Sequence, residues 1–271
     1  MTALSDNRLA TCFNQLKTDR RKAFVVYLCA GDPNLDTTVE LVVALAEAGV
    51  DVIELGLPYS DPMADGPAIQ LACERALAAG ATVTRVLDAV RRIRERTDIP
   101  ILFFTYVAPV MAYGVERFAR DAVAAGADGV LPLDLPPEED FGFLKAMRAG
   151  GLANVCLVAP NTTSERREML AATSRGFVYY ICRFGVTGER SELPRDLGKQ
   201  VRALKRMTDI PICIGFGISS PELAAAASKA GDGAVVGSHI VRMIEEHADK
   251  PDLVKRVARR AEAMAKAVHA V

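Results

Sequence analysis

Apolar residues arrive along this chain in two alternating textures. Short runs that are almost wholly apolar and rich in β-branched residues recur at 23–29, 52–57, 101–105, 129–133, 155–158, 178–181, 212–215 and 234–237. Runs of that length without polar interruption fit strands buried on both faces. Between them, segments such as 37–48, 83–96, 115–125, 165–172, 196–207 and 221–229 space their apolar residues as a helix does. Eight strands, each followed by a helix, predict either a closed parallel barrel or a doubly wound sheet.

Internal repetition favours the barrel. Ala48-Gly49-Val50-Asp51, Ala125-Gly126-Ala127-Asp128 and Ala230-Gly231-Asp232 each end a helix and open a strand. A glycine suits the left-handed position just past a helix end, where a Cβ is penalised. Thr97-Asp98-Ile99-Pro100-Ile101 returns as Thr208-Asp209-Ile210-Pro211-Ile212, with the proline stopping one element and leading into the next. No linker, low-complexity tract or charge run divides the chain, so one domain over 1–271 is expected. Residues 5–17 predict an extra helix ahead of the first strand, lying across the barrel bottom.

Composition narrows the role. The chain has 271 residues, half of them hydrophobic and a quarter charged, which excludes a disordered or fibrous protein. Lys plus Arg number 33 against 34 Asp plus Glu, without the basic excess of a general nucleic-acid binder. No apolar run approaches the length of a membrane span. Residues 1–7 lack the basic start and apolar stretch of a signal peptide. The six cysteines form no CxxC pair and read as reduced core thiols of a cytoplasmic protein. The three histidines all lie in the last 33 residues (His239, His247 and His269), a pattern that does not suggest a metal site.

In a barrel of this kind the chemistry sits on the loops that follow the strands. Glu54 lies inside an otherwise apolar strand. Burial there disfavours its charge, so it reads either as a general acid/base or as a structural carboxylate bonded to a neighbour. The loop behind it, Pro58-Tyr59-Ser60-Asp61-Pro62-Met63-Ala64-Asp65-Gly66-Pro67, carries two acids and three prolines. Asp65 reads as a second catalytic carboxylate or as the cap of a helix starting near Pro67; taken alone, the cap comes first.

The last two loops, Gly215-Phe216-Gly217-Ile218-Ser219-Ser220-Pro221 and Gly237-Ser238-His239, place small residues before helix N-termini. Free N–H groups and the helix dipole attract an anion there, and these loops are the usual phosphate site of such barrels. Gly185-Val186-Thr187-Gly188 adds a loop able to close over a ligand. None of the nine lysines falls in a predicted strand or at its C-terminal end, which disfavours a Schiff-base aldolase. Acid/base work by carboxylates on a phosphorylated substrate remains, and aromatic residues near the mouth (Tyr27, Phe103, Phe104, Tyr106, Tyr179 and Phe216) suit an apolar or aromatic group.

These motifs resemble one family, the tryptophan synthase α subunit. The run from Glu54 to Pro67 is the most specific match, supported in order and spacing by Ala30-Gly31-Asp32-Pro33, Gly185 to Gly188, Gly215 to Ser219 and Gly237-Ser238. The resemblance implies a (βα)8 TIM barrel with an extra N-terminal helix. It implies a lyase that cleaves indole-3-glycerol phosphate to indole and glyceraldehyde 3-phosphate. Glu54 and Asp65 fall on the family's catalytic pair. Tyr179 falls beside them, Tyr27 and Phe216 on aromatic positions near the substrate, and Gly188, Gly217, Gly237 and Ser238 on phosphate-binding positions. Thr187 is assigned to the same substrate site. Asp61 falls in the loop the family turns toward its β subunit, in an α2β2 assembly where pyridoxal phosphate belongs to β; no cofactor or metal is expected in this chain. The chain departs from the family pattern at Cys29, Ala108 and Cys182. Another phosphate-binding barrel, such as a sugar-phosphate isomerase, and a barrel that only binds a partner are the competing readings. The first would leave the 61–67 loop unexplained, and the paired Glu54 and Asp65 argue against the second.

Overall fold

The structure, a computed structural model, describes residues 7–182, 193–215 and 217–271. Its strands are β1 (Ala23–Cys29), β2 (Val52–Gly56), β3 (Ile101–Thr105), β4 (Gly129–Pro132), β5 (Ala153–Asn154), β6 (Cys156–Val158), β7 (Val178–Ile181), β8 (Ile212–Gly215) and β9 (Gly233–Val236). Neighbours follow the order β5-β4-β3-β2-β1-β9-β8-β7-β6, and every pair is parallel. β5 and β6 are the two halves of one stave, separated only by Val155. The first half pairs with β4 and the second with β7, and the Val155 N–H donates to the Val130 carbonyl at 3.0 Å. The sheet therefore closes on itself, and the predicted eight staves become nine hydrogen-bonded segments among the described residues.

Side chains alternate in and out along each stave, as closure requires. Phe24, Val26 and Leu28 on β1, Ile53 and Leu55 on β2, Ile212 and Ile214 on β8, and Ala234 and Val236 on β9 face outward into the main core beneath the helices. Ala23, Val25, Val52, Leu102, Leu131, Cys213 and Val235 fill the barrel interior. The helix ahead of β1, α1 (Arg8–Thr18), inserts Leu9, Phe13 and Leu16 into the same interior cluster. It plugs the N-terminal end of the barrel, which leaves the C-terminal end as the open mouth. Asn7, expected inside this helix, instead caps it: its side chain accepts from the Leu9 N–H at 2.9 Å and donates to the Asp128 carbonyl at 2.7 Å. Asparagine competes with helical geometry by making such bonds.

The sequence repeats have a shared physical role. Asp51, Asp128 and Asp232 each precede a strand and accept a backbone N–H from the first or second residue of the adjacent one: Phe24 at 2.7 Å, Ile101 at 2.9 Å and Ile212 at 3.0 Å. The Thr97 and Thr208 hydroxyls accept the Ile99 and Ile210 N–H groups in the same way. Gly49 and Gly126 take positive φ, as predicted, but Gly231 has φ −112°. Its glycine answers a different need, since a Cβ there would lie 2.7 Å from the Ile212 carbonyl oxygen.

Candidate active site at the barrel mouth

Glu54 is the third residue of β2, paired with Tyr27 of β1 and Leu102 of β3. Alternation points its side chain inward, above the apolar plug. It is 1% exposed, and its Oε1 is buried without a hydrogen-bond partner. Burial pushes its pKa up to about 8, so at neutral pH the carboxyl keeps its proton. A structural carboxylate would be expected to use both oxygens, and Oε1 here has no such partner.

Two tyrosines flank it. Tyr27 and Tyr179 are both buried, and their hydroxyls are held well above the ordinary value, mainly by burial. Both rings need missing side chains beside them. A Cβ on Gly56 would lie 2.8 Å from Tyr27 Cζ, and one on Gly215 would lie 2.6 Å from Tyr179 Cζ, with both hydroxyls nearer still. The glycine that ends β2 and the one that ends β8 therefore create the seats of the two rings. Phe104 meets Tyr27 edge-on, with centroids 5.0 Å apart.

Asp65 closes the loop after β2. Helix α3 (Pro67–Ala78) follows, but its N-cap is Gly66, without a side-chain cap bond. The capping expectation for Asp65 is thus corrected: its side chain turns into the mouth, 2% exposed, and Oδ2 accepts from the Tyr106 hydroxyl at 2.9 Å. Tyr106, the first residue after β3, in turn accepts the Ala64 N–H at 3.0 Å, while Gln70 of α3 donates to the Asp65 carbonyl at 2.8 Å. Burial raises the Asp65 pKa to about 6 against the lowering effect of the Tyr106 hydroxyl. Sequence reasoning placed Tyr106 only among the mouth aromatics. Its position immediately after a strand end was the available signal for a polar role.

The two carboxyls are therefore poised on opposite sides of neutrality, Glu54 protonated and Asp65 ionised at pH 7. Asp61 and Met63 stay on the outer part of the same loop. Asp61 is exposed and accepts from the Ser60 hydroxyl at 2.5 Å, and Met63 is 84% exposed.

The loops after β8 and β9 lie side by side because those strands are neighbours. Gly217 has φ +84°, and Ser220 caps α10 (Pro221–Ala230) by accepting from the Leu223 N–H. Helix α11 (Ser238–His247) begins at Gly237 with no side-chain cap bond, leaving its first N–H groups to an incoming acceptor. A Cβ on Gly237 would lie 3.4 Å from Tyr27 Cβ, so this helix start borders the stave opposite Glu54. Arg260 holds the two loops, donating to the Ser219 carbonyl at 2.8 Å and to His239 Nε2 at 2.9 Å. Thr187, Gly188 and Phe216 lie outside the described residues. Among the described residues, no group of three or more His, Cys, Asp or Glu is placed to hold a metal ion, and no helix is long and apolar enough to cross a membrane.

The sequence profile described as Tryptophan synthase alpha chain matches residues 13–269. The tryptophan synthase alpha chain of Geobacter sulfurreducens is 48% identical over 239 residues, 88% of this chain and 90% of that one. That of Solibacter usitatus is 47% identical over 246 residues, 91% and 92% of the two chains. Among solved structures, tryptophan synthase subunit alpha from Legionella pneumophila superposes with a TM-score of 0.90 at 35% identity, covering 98% of this chain and all of the other. Mycobacterium tuberculosis tryptophan synthase gives 0.89 at 37% identity, covering 97% and 98%. Identity near one half, sustained over about nine tenths of both sequences and matched by the barrel itself, leaves one assignment: the chain belongs to the tryptophan synthase alpha chain family.

Proposed function

We propose that this chain, folded as one barrel domain over 1–271, is a lyase of tryptophan biosynthesis that cleaves indole-3-glycerol phosphate to indole and glyceraldehyde 3-phosphate. Glu54 and Asp65 act as its catalytic pair. The observation that carries the reading is the buried, protonated Glu54 carboxyl in the barrel mouth, its Oε1 without a hydrogen-bond partner. Retro-aldol cleavage needs a proton delivered to indole C3, and Glu54 holds one at neutral pH. Protonation at C3 places positive charge on the indole nitrogen. Asp65, ionised above about pH 6, accepts the indole N–H and stabilises that charge. The Glu54 carboxylate left behind takes the proton of the hydroxyl on the carbon next to C3. The carbon–carbon bond then breaks, its electrons return to the ring, and the hydroxyl carbon becomes the aldehyde. No proton is gained or lost overall.

The rest of the site positions the substrate. Gly188, Gly217, Gly237 and Ser238 receive the phosphate, and Thr187 belongs to the same substrate site. Tyr27, Tyr179 and Phe216 border the indole. Fixing both ends of the substrate lowers the entropic cost of alignment. The chain itself needs no cofactor or metal. Its partner is a β subunit carrying pyridoxal phosphate in an α2β2 assembly in the cytoplasm, and the exposed Asp61–Met63 segment meets that partner. The test is indole release from indole-3-glycerol phosphate by the purified chain, with and without a β subunit. Slow release that rises sharply with the partner is the expected result. Fast release indifferent to the partner would make the chain a free-standing lyase, and no release in either condition would overturn the assignment.

A further inference from the structure

Cys29 ends β1, and Cys73 lies in the middle of α3. Both are buried, and they meet inside a small apolar cluster that also holds Tyr27, Ala72 and Ala76. Their Sγ atoms are 3.9 Å apart, with the Cys29 thiol donating toward the Cys73 sulfur. The Tyr59 backbone amide, on the loop that leads to Asp65, lies close enough to Cys73 to favour its thiolate. The two thiols are thereby made unlike: these donors pull the Cys73 pKa down, while its hydrogen bond to Cys73 and burial drive that of Cys29 well up. Two unlike thiols with sulfurs 3.9 Å apart have the arrangement of an attacking and a resolving cysteine.

We propose that Cys29 and Cys73 form a site of reversible oxidative modification, in which a peroxide links them as a disulfide that shifts α3 and displaces Asp65. The Cys73 thiolate attacks one oxygen of hydrogen peroxide, giving a sulfenic acid and hydroxide, and the hydroxide takes up the displaced thiol proton as water. The Cys29 sulfur then attacks the Cys73 sulfur, the S–S bond forms, and the sulfenic oxygen leaves with the Cys29 proton as a second water. Two thiols lose two electrons and two protons, and one peroxide becomes two waters.

The displacement follows from packing. A disulfide bond is about 2.05 Å long, so the sulfurs must approach by roughly 1.9 Å from their present 3.9 Å. Little slack absorbs that movement. A Cβ on Gly31, two residues beyond β1, would lie 2.7 Å from Ala81 Cβ and 3.3 Å from Ala76 Cβ, so the end of α3 already rests on the chain leaving β1. At its other end α3 is tied to the site, because Gln70 donates to the Asp65 carbonyl at 2.8 Å. A shift of the helix therefore reaches Asp65 directly.

The effect on rate rests on the proposed function, whereas the covalent link and the movement do not. The reduced chain is treated with hydrogen peroxide, and three quantities are read: the mass of non-reduced peptides, amide hydrogen exchange over residues 58–73, and indole release. A Cys29–Cys73 cross-linked peptide is expected, with faster exchange before and within the start of α3. Indole release should fall roughly 100-fold, the scale of an ångström-sized misplacement, and return with dithiothreitol. Cys73→Ser keeps an acceptor for the Tyr59 N–H and is expected to retain its activity through peroxide treatment; Cys29→Ser is a second, independent check. Absence of the linked peptide, a linked chain with unchanged exchange, or serine variants that lose activity to peroxide as the unsubstituted chain does would overturn the proposal. A reduced chain that releases no indole would instead overturn the proposed function, and the peptide and exchange readouts would still decide this one.

Discussion

Replacing Glu54 by Gln should abolish indole release and stabilise the fold, and the stabilisation should depend on pH. The carboxyl titrates near 4.5 when solvated and near 8 when buried in the barrel. A carboxyl whose pKa is raised on folding contributes its full stability below the unfolded value. That stability is lost progressively as pH climbs toward the folded value. Linkage across this interval puts the penalty for wild-type Glu54 at about 1 kcal/mol near pH 5 and about 4 kcal/mol near pH 8. Glutamine has the same shape and never ionises, so the substitution removes the whole penalty. Any difference between a buried amide and a buried acid is the same at both pH values and cancels.

The expected result is that the stability gain of Glu54→Gln is larger at pH 8 than at pH 5 by about 3 kcal/mol. Urea melts of both proteins at the two pH values, followed by tyrosine fluorescence because the chain has no tryptophan, measure it. Turnover in the same preparations should fall on the order of 1,000-fold, within the range of a lost general acid. A stability difference that stays constant within 1 kcal/mol across these pH values would refute the claim that desolvation governs Glu54. Near-normal turnover would refute its role in the chemistry.

The pH profile of kcat/KM should be bell-shaped, rising with Asp65 near 6 and falling as Glu54 ionises near 8, so activity at pH 5 or 9 is about a tenth of its maximum. Tyr106→Phe removes the donor that lowers the Asp65 pKa, and the acid limb of that profile should move upward while the alkaline limb stays. Gly215→Ala drives a methyl into the Tyr179 ring; thermal melts should show a loss of about 1–3 kcal/mol, and indole release should fall with the displaced tyrosine. Asp128→Ala strands Arg94, now bonded to it at 2.8 Å, together with the Ile101 N–H. Stability should drop by about 3–5 kcal/mol, with turnover per folded molecule unchanged, because this cluster sits at the plugged end of the barrel.

The staves were legible because burial on both faces writes itself as uninterrupted apolar runs: 23–29, 101–105, 178–181 and 212–215 coincide with the observed strands. The fifth stave hid its N-terminal half. Asn154 interrupts the apolar run, yet it is buried, its side chain bonded to Arg148 and to the Thr173 carbonyl, and neither apolar runs nor helical spacing mark a polar residue satisfied by the helices before and after its stave. Glu54 was conspicuous for the converse reason, as the lone charge in an apolar strand. Asp65 was ambiguous because the same spacing serves a helix cap. The decision belonged to Tyr106, 41 residues away, which only the closure of β2 against β3 brings within reach.

That dependence on a distant hydroxyl also explains how one barrel mouth holds two carboxyls in different states. Glu54 and Asp65 are nearly equally buried, at 1% and 2% exposure, so desolvation pushes both upward. Of the two acids, only Asp65 receives a hydroxyl donor among the described residues, and only Glu54 leaves a buried oxygen unpartnered. A donor to the charged form lowers a pKa, and its absence leaves the cost of burial uncompensated. The division of labour therefore lies less in the identity of the acids than in what the neighbouring strand ends offer each. β3 supplies Asp65 with the Tyr106 hydroxyl. The ends of β2 and β8 supply glycines, which leave the mouth room for Tyr27 and Tyr179. Moving that donor from Asp65 to Glu54 is the change that would draw the two pKa values together.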